Sequence, residues 1–285
     1  MCGRYTLATP DHLGLRSRFG LDERVELRRR FNVAPGDHVV AVTTDRDGHP
    51  RGDTLRWGLV PHWAEDPKIG ARMINARAEG VAERPAFRDA FASRRCLILA
   101  DGFYEWERRP GLVGKQPWWI SRADGAPFAF AGLWATWRPA ADGVEPLRTC
   151  SIVTTAANPA VARLHDRMPV ILEPGAEAAW LDHATPAGAL QDLLAPLTEG
   201  QTALREVGSA VNDAHHDAED CLDPPDPADA PPATLFRPCP SPARSSPTTT
   251  CSSTSTAACG SVTSPRHAPR RRWPRCAPPA RAWPS

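Results

Sequence analysis

The sequence predicts an α+β fold with a mostly antiparallel, barrel-like β core and several short helices. Three observations predict it. Short apolar stretches rich in β-branched and aromatic residues recur between turn signals, a pattern of strands and not of long helices. Asp/Gly-rich turns such as "DRDG" (45–48) and "ADGAP" (123–127) join neighbouring stretches, which favours hairpins over parallel crossovers. No strand leads into a G-x-G-x-x-G or Walker loop, so a nucleotide-binding α/β fold is disfavoured.

The elements follow in order. "PDHLGLRSRF" (10–19) reads as a short helix with Asp11 near its start. "HVVAVTT" and "TLRWGLV" alternate on either side of "DRDG", a hairpin. "RPAFRDAFASRR" places Phe87 and Phe91 one helical turn apart. "RCLILADGFYEWER" (95–108) reads as one buried strand that turns polar. "PWWISR" and "FAFAGLWATWR" suggest a second hairpin around "ADGAP". "LRTCSIVTTAAN" and "MPVILEP" are further strands with a short helix, "PAVARLH", between them. "GAEAAWLDH" and "PAGALQDLLAPL" read as helices, and "LREVGSAVN" as a last strand and turn.

At 285 residues and 41% hydrophobic, the chain can bury a large core. No run of about 18 apolar residues occurs, which argues against a membrane helix. No charged segment followed by an apolar one marks a secretory signal. The eight cysteines form no CxxC pair and no regular framework, so neither zinc nor disulfides are expected, and a reducing cytoplasm fits. No metal or cofactor is expected, and "HHDAEDC" (215–221) reads as a solvated loop. The net charge of +1 hides a slightly acidic body and an Arg-rich end. An anionic ligand must therefore be held by a local Arg cluster. Residues 1–222 read as one domain, and 223–285 as a Pro/Ser/Thr/Arg-rich tail too poor in apolar residues to offset its ordering entropy. A basic tail touching nucleic acid and an out-of-frame continuation both suit its composition.

Four stretches carry reactive polar groups. Cys2 stands directly behind the initiator; once Met1 is removed it bears an α-amine and a thiol on adjacent carbons. "MINARAE" spaces Asn75, Arg77 and Glu79 at period two, on one side of an extended chain. "ADGFYEWER" sets Glu105 between Tyr104 and Trp106, and "LHDRMPVIL" puts His165, Asp166 and Arg167 before an apolar strand. Each also has a plain structural explanation: a frayed terminus, a turn amide, a surface carboxylate, a helix-end histidine. Core packing is the ready explanation for Trp118, Trp119, Trp134 and Trp137.

Taken together, "MCGRYTL", "FNVAPG", "RWGLVPHW", "INARAE", "ADGFYEW", "SIVTTAAN", "LHDRMPVIL" and "VGSAVN", in this order, resemble the SOS response-associated peptidase (SRAP) family, whose members protect abasic sites in single-stranded DNA. The resemblance covers Met1 to about Leu222. It implies a covalent thiazolidine crosslink between Cys2 and the lesion, with Asn75, Glu105 and His165 as catalytic residues. It implies that Arg4, Arg77 and Arg167 meet phosphates, that Asn32, Thr154 and Thr155 add polar contacts, and that Pro35, Trp63 and Trp106 form an apolar wall or wedge. The expected partner is single-stranded DNA containing abasic sites, bound by a monomer in the cytoplasm, at the nucleoid if the source is bacterial. Met1 is removed by the protein itself or by an aminopeptidase. An N-terminal-cysteine hydrolase acting on peptides and a non-catalytic single-strand binder are the competing readings.

Overall fold

The computed structural model describes residues 2–9, 11–109, 114–139 and 143–226. The strands are β1 (Tyr5–Leu7), β2 (Arg30–Val33), β3 (His38–Thr44), β4 (Pro50–Trp57), β5 (Asn75–Arg77), β6 (Arg95–Ala100), β7 (Gly102–Glu107), β8 (Gln116–Arg122), β9 (Phe128–Trp137), β10 (Leu147–Ala156), β11 (Arg167–Pro169), β12 (Ile171–Leu172) and β13 (Thr202–Glu206). The α-helices are α1 (His12–Phe19), α2 (Arg88–Ser93), α3 (Pro159–Ala162), α4 (Pro174–Leu181) and α5 (Ala187–Asp192). No helix among the described residues is long and apolar enough to cross a membrane.

Strands β10, β4, β3, β6 and β9 pair in that order, and β9 pairs back onto β10, so five strands close into a barrel. β5, β11 and β12 extend it. β10 runs parallel to β4 and β5; all other pairings are antiparallel. A second sheet has the order β13-β8-β7-β1-β2. Tyr5, Phe103 and Ile120 from this sheet share one core cluster with Ile98, Phe130 and Ile152 of the barrel strands. On the other side of those strands, Leu97, Leu99 and Val153 pack with Phe91 of α2 and Trp180 of α4. Burial on both sides explains why "RCLILA" is apolar throughout and does not alternate.

The α+β barrel matches the expected class, and the β3–β4 hairpin matches its expected pairing. Two connections differ. The run 95–108 is two strands, because the chain leaves the barrel at Asp101 and enters the second sheet at Gly102. The Asp101 carboxylate accepts the backbone N–H groups of Ala8 and Thr9 at 2.7 and 2.6 Å, which fixes the corner. Gly102 must be glycine, because a Cβ there would lie 2.2 Å from the Trp119 indole nitrogen. "PWWISR" and "FAFAGLWATWR" do not form a hairpin either. β8 pairs with β7 and β13, while β9 uses both edges on β6, β10 and β12 to close the barrel.

One buried cation braces two helix ends. Arg95 is 1% exposed, and its guanidinium donates to the carbonyls of Phe91, Ala92, Trp180 and Asp182 at 2.6–2.8 Å. These carbonyls lie at the C-terminal ends of α2 and α4, where orphan acceptors and the helix dipole favour a cation. Arg95→Met is expected to lose about 2–4 kcal/mol, since each buried acceptor left without a donor costs about 1–3 kcal/mol and water recovers part of it. Urea unfolding measures the loss; an unchanged midpoint would show that the carbonyls find other donors.

Up to Asp223 the chain is still tied to the body, since Gly208 N–H donates to the Asp223 carbonyl at 2.8 Å. Beyond Asp226 the expected tail lies outside the described residues.

Candidate functional site

The β1–β7 pairing brings the N-terminal residues to the site. Tyr5 lies opposite Phe103, and Tyr104 N–H donates to the Arg4 carbonyl at 3.0 Å, so residues 2–4 run beside Tyr104, Glu105 and Trp106. Cys2 is fully buried within the core shared by the two sheets, unlike a frayed end. Its carbonyl accepts from Asn75 Nδ2 at 2.8 Å. Asn75 reaches it from β5, which is held parallel to β10 with Asn75 opposite Ile152. The Asn75 Oδ1 is buried and has no donor among the described residues.

Glu105 is 5% exposed. Burial pushes its carboxyl above the usual range, and the positive charge of the chain terminus and of His165 pulls it back. Burial and the Glu105 charge push the Cys2 thiol up as well, with the terminus opposing them. Cys2, Asn75, Glu105 and His165 thus come from four separate parts of the chain. The His165 Nδ1 accepts the Arg167 backbone N–H at 3.0 Å, which leaves the ring proton of the neutral imidazole on Nε2. The exposed Asp166 carboxylate, 2.8 Å from Nδ1, is a partner for the protonated ring.

The expected DNA contacts have varied surroundings. Arg77 is exposed and makes no close ion pair among the described residues, although its charge is felt at Glu79. Arg167 is held bidentately by Glu79, at 3.2 and 2.8 Å, and also donates to the Thr154 carbonyl. That ion pair holds the Glu79 carboxyl below its usual range. Thr154 and Thr155 are buried on β10, opposite Pro169 and Met168. Arg4 donates to Asn32 Oδ1 and to the Val211 carbonyl. Asn32 is buried, and its Nδ2 donates to the carbonyls of Asp213 and His216 at 2.8 and 2.7 Å. These two side chains therefore pin the segment 211–216 onto β2. Trp63 is 50% exposed beside a cleft of about 450 Å³ that also contacts Lys68. Pro35 lines a neighbouring cleft of about 240 Å³, again with Lys68. Trp106 packs near Tyr104, ring centroids 6.4 Å apart, and donates to Asn212. As a strand neighbour of Glu105 it points to the other face.

Trp118, which the sequence leaves to core packing, is half-buried and lies opposite Glu105 across β7–β8. Only the strand register reveals this. Metal-type donors gather at His216, Asp220 and Cys221, and at Asp45, Asp47 and His49. In the first group His216 Nε2 bonds Asp220 at 2.6 Å and the Cys221 thiol bonds the His216 carbonyl, so all three are engaged within the protein.

The closed barrel thus carries its second residue beside a half-buried amide, Asn75, and near a buried carboxylate, Glu105, that feels the charge of His165. The chain belongs to the SOS response associated peptidase (SRAP) family, whose profile matches residues 1–214. It is 42% identical over 229 residues to the abasic site processing protein YoaM of Bacillus subtilis, across 78% of this chain and 98% of YoaM. It is 36% identical to the abasic site processing protein YedK of Escherichia coli, across 53% of this chain and 64% of YedK. Among solved structures, a Bordetella bronchiseptica protein aligns with TM-score 0.61 and 29% identity, over 72% of this chain and 99% of its own. A Bacteroides thetaiotaomicron protein aligns with TM-score 0.70 at 22% identity, over 78% and 99%, a likeness of fold.

Proposed function

We propose that this protein processes abasic sites in single-stranded DNA by forming a thiazolidine crosslink through Cys2 after Met1 is removed. The observation that carries the reading is the clasped second residue: Cys2 is buried, its carbonyl is held by Asn75, and the buried Glu105 lies close enough to act on its thiol electrostatically. The names of the relatives supply the substrate class.

The chemistry follows from the aminothiol. An α-amine has an ordinary pKa of about 7.7–8.0, so a useful fraction is neutral near neutrality. The Cys2 nitrogen attacks the aldehyde carbon of the ring-opened deoxyribose, and water leaves to give an imine. The thiol sulfur then adds to the same carbon, its proton passing to nitrogen, and closes a five-membered ring. The net change is loss of one water. A thiol alone would give a labile hemithioacetal. An amine alone would give an imine that invites strand cleavage by β-elimination. The amine is the first nucleophile because only nitrogen can expel the aldehyde oxygen as water and leave an imine carbon for the sulfur to attack. Glu105 shuttles protons at the amine and the departing hydroxyl, His165 protonates the sugar oxygen during ring opening, and Asn75 offers its Oδ1 to the terminal amine. Arg77 is an exposed phosphate contact; Arg4 and Arg167 act at the edges of the same site.

The test is incubation of Met1-processed protein with an abasic single strand, followed by denaturing electrophoresis and mass spectrometry of the N-terminal peptide. A stable adduct carrying the strand mass less one water is expected. Protein with an extra residue before Cys2 is expected to give none. Normal crosslinking by the extended protein would sink the claim that the terminus reacts.

A further inference from the structure

We propose that Trp118 and Arg163 form a subsite that stacks the base and neutralises the phosphate of the nucleotide flanking the lesion; this rests on the single-strand reading above. Glu105 and Trp118 are directly paired across β7 and β8, so their side chains stand side by side on the same face of the sheet. A ligand whose reactive carbon reaches Glu105 must extend past this indole or away from it. The Trp118 ring is held in place, since its Nε1 donates to Glu107 Oε2 at 3.0 Å.

The arginine is the second, independent observation. The Arg163 guanidinium lies over the Trp118 ring, 4.5 Å from the centroid. Arg163 is exposed and has no acid partner among the described residues. It also stands two residues before His165, so the same loop that supplies the imidazole supplies the cation. Arg109 lies near the ring too, at 5.5 Å, but is committed to Glu107 and Glu206, each at 2.7 Å. The exposed Lys115 lies close enough for its charge to be felt at Glu105. A planar cation and a nucleobase both stack on an indole. An incoming base can therefore take the place of the guanidinium, which moves to the adjoining phosphate. An acidic peptide would use the cation and leave the flat indole face unused, whereas a nucleotide uses both.

The experiment measures binding of single strands that carry one tetrahydrofuran, an abasic analogue without an aldehyde. Each flanking base is either present or replaced by a second tetrahydrofuran. Wild-type protein is expected to lose about tenfold in affinity when the base on one side is removed. Folded Trp118→Leu is expected to bind more weakly and to lose that dependence, and Trp118→Phe to retain most of it. Arg163→Ala is expected to lower the slope of log affinity against log salt by about 0.7, the value for one phosphate contact on a single strand. Because tetrahydrofuran cannot crosslink, the series reads the subsite alone. Flank dependence without any adduct on aldehyde strands would overturn the crosslinking chemistry and leave the subsite standing. No flank dependence in wild type, wild-type dependence in Trp118→Leu, or an unchanged salt slope in Arg163→Ala overturns the subsite. If Trp118→Leu fails to fold, the Arg163→Ala slope decides.

Discussion

Cys2→Ala is expected to give a folded protein that binds single-stranded DNA and forms no denaturant-stable adduct with an abasic strand. The loss should be complete, because no other described residue offers an amine and a thiol on adjacent carbons. Cys96 and Cys150 are buried internal residues whose nitrogens are tied up in peptide bonds. The structural cost is small: removing one sulfur from a packed site costs about 1 kcal/mol, well within the stability of an ordinary domain. Both variants keep the terminal α-amine and lose only the thiol, so in each an imine that borohydride can trap is expected to persist, while the ring product disappears; Cys2→Ser differs in keeping a polar group in the sulfur's place. The two variants and wild type are compared by denaturing electrophoresis with and without borohydride, and by intact-strand binding. Full adduct formation by Cys2→Ala without borohydride would refute the aminothiol mechanism. Loss of intact-strand binding would return Cys2 to a packing role.

Much of this site is legible in the sequence, and the reason is physical. Asn75 opens β5, Glu105 stands inside β7 where the run turns polar, and His165 lies two residues before β11, each a polar group set against an apolar stretch where a simple core would not place it. The strand ends themselves are readable from hydrophobic periodicity. Pairing is not. "RCLILADGFYEW" looks like one strand because both halves are buried, and only the carboxylate of Asp101, accepting from residues 8 and 9, reveals the corner. The hairpin expected at "ADGAP" fails for a related reason: barrel closure takes both edges of β9, a demand made by strands distant in sequence. Register decides the interface in the same way. Trp118 and Trp119 are adjacent letters on opposite faces, and only the partner strand determines that Trp118 stands with Glu105. Asn32 shows another limit: nothing in its letter tells that its amide is engaged with the backbone of the segment 211–216.

Glu105→Gln is expected to slow ring formation and ring reversal together while making the protein more stable near neutral pH. The two effects share one cause. Burial raises the Glu105 carboxyl above its ordinary range. A carboxyl raised on folding binds its proton more tightly in the native state, so folding is most favoured below the unfolded pKa of about 4.3 and loses stability as pH rises towards the native value. Glutamine carries no such cost, so the variant should gain on wild type near neutrality, and the gap should close in acid. Function runs the other way. In the proposed reaction the ionised carboxylate is the base that takes the proton from the amine, and the acid form returns it to the departing hydroxyl; one group serves both directions. Its loss should cost about 10²–10⁴ in single-turnover rate, the usual yield of general acid–base catalysis. The wild-type rate should rise with pH along a limb displaced above the ordinary carboxylate range, and Glu105→Gln should lack that limb. Melting curves at acid and neutral pH, set beside single-turnover crosslinking across the same pH series, test both halves. A variant that crosslinks at the wild-type rate across the series would reduce Glu105 to a buried charge without a part in the reaction, and a variant no more stable at neutral pH would show that the terminal ammonium and His165 fully offset its burial.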